Sequence, residues 1–109
     1  MITVKFYMSE SRITGFECRG HSGFGCRGSD IVCAAVTSAV RLVECTVNDV
    51  LGLGAAVGID NENASVSLRL PEKLSPGAEN TCQTVLTALM VYLTGLKEEY
   101  PENIDVLEV

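Results

Sequence analysis

Ile2, Val4, Phe6 and Met8 alternate with Thr3, Lys5 and Tyr7, the period-two pattern of a strand with one buried face. Ser9, Glu10 and Ser11 supply turn chemistry. Residues 12 to 19 then return as a second strand, with Phe16 and Cys18 on one face and Gly15 leaving room for a bulge or a close backbone approach. Gly20, Gly23, Gly25 and Gly28 break the pattern, which predicts a mobile loop over residues 20 to 29. From there Val32, Val36, Ala39, Val40, Val43, Val47 and Val50 recur at helical spacing, behind Ser29 or Asp30 as a cap and ahead of Gly52 and Gly54 as a stop.

Val57 and Ile59, then Val66, Leu68 and Leu70, read as a second hairpin around Asp60-Asn61-Glu62-Asn63. Pro71 and Ser75-Pro76-Gly77 close it. Leu86, Leu89, Leu93 and Leu96 mark a second helix over roughly residues 78 to 99, ended by Pro101. These leucines serve a core or a subunit interface. Ile104 and Val106, or their neighbours Leu107 and Val109, form a last strand. The order ββαββαβ predicts a two-layer α+β fold, with two helices on a mostly antiparallel sheet, as one domain spanning residues 1 to 109.

Composition narrows the classes. A content of 47% hydrophobic residues in 109 is enough to close one core without disulfides. The start MITVKFYMSE has no basic leader and no apolar stretch, so no signal peptide is expected. The apolar windows near residues 31 to 43 and 85 to 96 are interrupted by polar side chains, so no membrane span is expected. Five cysteines, an odd number at irregular spacing, favour reduced thiols in a cytoplasmic setting. Cys45 and Cys82 sit at helical positions and read as core. The net charge of -6 argues against direct nucleic-acid binding. Residues 51 to 109 carry three basic and nine acidic side chains and hold the whole excess, a field suited to a basic partner or simply a solubilising face.

The segment HSGFGCRGSDIVCAAVTS, residues 21 to 38, concentrates the chemistry. It contains the chain's single histidine, His21, and a cysteine twelve residues later in the first turn of a helix. Helix amino-termini present unpaired N–H groups and partial positive charge, which favour thiolate over thiol. Cys33 is therefore a candidate nucleophile and His21 the candidate proton donor and acceptor, in the division of labour of Cys–His proteases. A lone cysteine within the apolar run Ile31 to Val36 would ordinarily be packing, and the four glycines that bracket the loop are what favour the chemical reading. Asp30 either caps the helix or orients the imidazole. A zinc site from Cys18, His21, Cys26 and Cys33 lacks a recurring ligand spacing, so no metal is expected. The absence of Lys-Ser or Lys-Thr after the glycines removes a Walker-type phosphate site, and no cofactor is expected.

Gly20-His21-Ser22-Gly23-Phe24-Gly25, followed by Gly28-Ser29-Asp30-Ile31-Val32-Cys33-Ala34-Ala35-Val36, resembles the signature of the ribosomal-processing cysteine protease family, Prp. The resemblance implies a homodimeric α+β protease that removes the amino-terminal extension of large-subunit ribosomal protein number twenty-seven. It places the nucleophile on Cys33 and the proton-transfer residue on His21. It also implies that Gly20, Gly23, Gly25 and Gly28 belong to a lid gated by substrate. Where the family often has serine four residues after the cysteine, this chain has Thr37, which keeps a hydroxyl as a supporting group. The alternative is a non-enzymatic ribosome-assembly or adaptor protein that binds a basic partner.

Overall fold

The computed structural model describes residues 1–20 and 30–109. β1 (Ile2–Ser9) and β2 (Arg12–Arg19) form the first hairpin, and α1 (Ile31–Glu44) runs on into a π-helical segment, Cys45–Val50. β3 (Ala56–Asp60) and β4 (Ser65–Arg69) form the second hairpin, followed by α2 (Pro76–Glu99) and β5 (Ile104–Glu108). The element order is ββαββαβ, and the fold is the expected α+β arrangement of two helices on one sheet. The sheet order is β3-β4-β2-β1-β5, antiparallel throughout except where β5 lies parallel to β1.

One face of this sheet carries the core. Ile2, Val4, Phe6, Phe16, Leu68 and Ile104 are buried against Val32, Val36, Val40, Val43 and Val47 of the first helical run and Cys82, Leu86, Leu89, Leu93 and Leu96 of α2. The α2 leucines thus belong to this chain's own core. Of the two alternatives for the last strand, Ile104 is buried and Leu107 and Val109 face outward.

Gly15 fulfils both readings of its position. β2 carries one extra residue, Thr14, between the pairs Tyr7↔Gly15 and Met8↔Ile13, and a Cβ built on Gly15 would lie 2.2 Å from the Leu68 carbonyl oxygen. Ile13 stays paired with Met8 of β1, and its own backbone N–H and C=O are taken up by α2. Gln83 Oε1 accepts the Ile13 N–H at 2.8 Å while Gln83 Nε2 donates to the Ile13 carbonyl at 2.8 Å. Arg12 and Glu79 pair at 2.7 Å beside this contact.

Three expectations are corrected. The helical stripe was expected to carry Val50 and Cys45 inward, yet Val50 is 73% exposed and Cys45 is exposed. Cys45 lies off the Val43–Val47 stripe, and the wider π turn then rotates Val50 away from the sheet, with Leu51 packing in its place. The run Ile31–Val50 is also a continuous 20 residues with mean hydropathy 1.4, long and apolar enough by those measures to cross a bilayer. Its valine stripe packs on the sheet of this chain. α2 begins at Pro76, earlier than residue 78, because Ser75 Oγ accepts the Ala78 N–H and proline suits the first helical position.

Candidate active site

The site is assembled where α1 starts above β2. Asp30 is buried, and its Oδ1 accepts the N–H groups of Val32 and Cys33 at 3.0 Å each, which satisfies donors that the first turn leaves without intrahelical partners. Of the two roles considered for Asp30, the structure displays the cap. Its backbone carbonyl accepts the Ala34 N–H at 3.0 Å. The amides of Val32, Cys33 and Ala34 are thus all engaged within the helix start.

Cys33 is half-buried and lines a pocket of about 170 Å³ with Ile2, Cys18, Gly20, Val36, Thr37 and other residues of β4 and its hairpin turn. Thr37 stands one helical turn after Cys33, on the same side of α1. Thr46, Thr81, Thr84 and Thr94 each donate to the carbonyl four residues earlier, as helical threonines commonly do. No such bond joins Thr37 to Cys33 among the described residues, and Thr37 lines the pocket.

Gly20 is anchored. It takes φ +94°, a Cβ there would lie 2.6 Å from the Met1 carbonyl oxygen, and its N–H donates to the Ala64 carbonyl at 3.0 Å. It fixes the end of β2 beside the pocket. His21, Gly23, Gly25 and Gly28, and with them the loop and lid expected from the sequence, lie outside the described residues.

Sequence reasoning missed the other walls. Ile2, Ala64 and Val66 reach the pocket from three separate elements, and their apolar identity carries no mark of a site. Cys18 was legible as an inward-facing strand residue and as one member of a zinc set that lacked a recurring spacing. It pairs across the sheet with Val4 and Val66, and burial, then the charge on Cys33, then that on Glu17 push its thiol up to about 11.

A cysteine in the capped first turn of a helix, opening into a small pocket, is open to thiol chemistry, and the relatives supply the class: the chain is a cysteine protease. Residues 1–105 match the family model described as cysteine protease Prp, and the chain belongs to that family. The ribosomal processing cysteine protease Prp of Bacillus subtilis is 30% identical over 94 residues, spanning 86% of this chain and 84% of the relative. The Staphylococcus aureus protein of the same name is 30% identical over 108 residues, 95% of each chain. A crystal structure of the S. aureus protease with a covalently linked product peptide superposes with a TM-score of 0.82 at 27% identity, covering all of both chains. The non-enzymatic adaptor alternative gives way to this membership.

Proposed function

We propose that this chain is a cytoplasmic endopeptidase that removes the amino-terminal extension of large-subunit ribosomal protein number twenty-seven, with Cys33 as nucleophile and His21 as acid–base partner. The observation that carries the reading is Cys33 itself, held in the first turn of α1 by the buried Asp30 cap and facing a pocket. Cys33 Sγ attacks the scissile carbonyl, and His21 passes a proton to the leaving amine. Water then hydrolyses the thioester with His21 as base, returning Cys33 as a thiol. Thr37 supports the bound peptide through its hydroxyl, and the glycine-rich segment closes over it. The acidic second half of the chain attracts a basic ribosomal precursor.

The test is cleavage of the purified precursor, read by mass spectrometry. Cys33→Ala and His21→Ala should each abolish product while circular dichroism stays unchanged. Full cleavage by a folded Cys33→Ala protein would end the proposal.

A homodimer belongs to the same reading. Leu42, Val91 and Tyr92 are 68%, 64% and 51% exposed on the outer faces of α1 and α2, and Leu42 and Tyr92 flank an apolar groove of about 360 Å³ between the helices. A second copy seated there covers these side chains. Sedimentation of Leu42→Glu and Tyr92→Glu should report monomers; unchanged sedimentation would remove this face from consideration.

A further inference from the structure

Two thiols share the small pocket. Cys33 enters it from the first turn of α1, and Cys18 enters from the helix-facing side of β2, with Ile2, Val36 and Val66 around them. Both pack against the same core. The other described cysteines lie elsewhere: Cys82 is buried on α2, and Cys45 is exposed beyond the end of α1. Peptide cleavage needs one thiol, so the established class gives Cys18 no task. A second thiol beside a nucleophilic one has a known chemical use, which is to capture the first oxidised form of its neighbour before oxidation goes further.

We propose that Cys18 is a resolving thiol for Cys33, and that a peroxide converts the pair to a reversible Cys18–Cys33 disulfide that closes the protease. The inference rests on Cys33 being the reactive thiol of the proposed function. In the first step the Cys33 sulfur attacks a peroxide oxygen; the S–O bond forms, the O–O bond breaks, and hydroxide leaves and is protonated to water. Cys33 is oxidised to sulfenic acid and the peroxide is reduced. In the second step Cys18 loses its proton and attacks the Cys33 sulfur; the S–S bond forms, the S–O bond breaks, and a second water leaves. In sum, two thiols and one hydrogen peroxide give one disulfide and two waters. A reducing dithiol reverses the bond by two exchanges.

The environment fits this order of events. Burial and the charge on Cys33 keep Cys18 protonated, so Cys18 is not the first thiol to meet oxidant. The charge on Cys33 acts on Cys18 more strongly than does that of its chain neighbour Glu17.

The experiment treats the full chain, carrying Cys26→Ser, with hydrogen peroxide and maps the products by non-reducing digestion and mass spectrometry. A cross-linked peptide pair containing Cys18 and Cys33, lost on addition of dithiothreitol, is expected. In Cys18→Ser and Cys18→Ala proteins, sulfinic acid should accumulate at Cys33 at least about tenfold faster than with Cys18 present. Absence of the cross-link, or equal sulfinic acid formation with and without Cys18, overturns the proposal. The mapping in the protein that keeps Cys18 stands even if both variants fold poorly. Because it reads covalent bonds, it is also independent of peptide cleavage. A cross-link together with full cleavage by Cys33→Ala would leave the redox pair standing and remove Cys33 from the protease mechanism. An inactive Cys33→Ala with no cross-link would do the reverse.

Discussion

Asp30 holds Cys33 by the amide: the carboxylate Oδ1 of one accepts the backbone N–H of the other at 3.0 Å, and the same oxygen holds Val32. The position of the candidate nucleophile therefore depends on a side chain that touches no substrate in the proposed reaction.

Asp30→Ala should cost about 1 to 2 kcal/mol of stability, the upper part of the range for an N-cap, because the carboxylate is buried and two amides lose their acceptor. Asp30→Asn should recover most of it. Urea denaturation measures the first effect. The rate of precursor cleavage should fall further than the stability loss accounts for, since Cys33 sits in the turn that frays.

Gln83→Leu should be more damaging than Arg12→Met, although Arg12 makes the ion pair. Gln83 satisfies both backbone groups of Ile13 at the bulge, and leaving them unpaired costs roughly 2 kcal/mol. The Arg12–Glu79 pair is about a third exposed, and such pairs contribute less than about 1 kcal/mol. Equal shifts in the denaturation midpoint would refute the ranking.

Acid should weaken the α2–β2 contact through Glu79. Its hydrogen bond from Arg12 is the main cause holding its carboxyl below the ordinary value of 4.5. A carboxyl lowered in the folded state binds fewer protons there than in the unfolded chain. Its contribution is therefore complete above pH 4.5 and lost as pH falls through the lowered value. Stability curves of the parent protein and Glu79→Gln should differ at neutral pH and converge in acid; parallel curves would show that the pair contributes nothing to acid sensitivity.

Gly15→Ala should destabilise by roughly 3 kcal/mol, at the upper end for overpacking, because the new methyl would meet the Leu68 carbonyl, a backbone atom that cannot rotate away. Gly77→Ala serves as the control, since nothing lies within 4 Å of a Cβ there. A melting shift of similar size in both would contradict the close approach.

Much of this was written in the chain. The alternation at Ile2, Val4 and Phe6 and the spacing of the valines specified buried faces, and burial is what those elements need. Asp30 and Cys33 were legible because capping is a local event, decided within four residues. The parallel partnership of β5 with β1 was not, since a short apolar alternation does not encode the direction of its neighbour. The π turn escaped because valines at three- and four-residue spacing do not report whether a carbonyl bonds four or five residues ahead. Cys18 was weighed beside Cys33 only as a zinc ligand, and their shared pocket was not legible because it depends on how β2 sits under α1, fifteen positions later in the chain.

The pairing of Ile2 with Ile104 has a consequence for how the protein is made. Among the described elements β1 leaves the ribosome first and β5 last, yet they are neighbours in the finished sheet. Until β5 is synthesised, β1 offers an open edge while its hairpin partner β2 is already in place. A nascent chain in that state is open to strand capture by another copy, and slowing translation over residues 100 to 109 should lengthen the interval in which newly made protein aggregates.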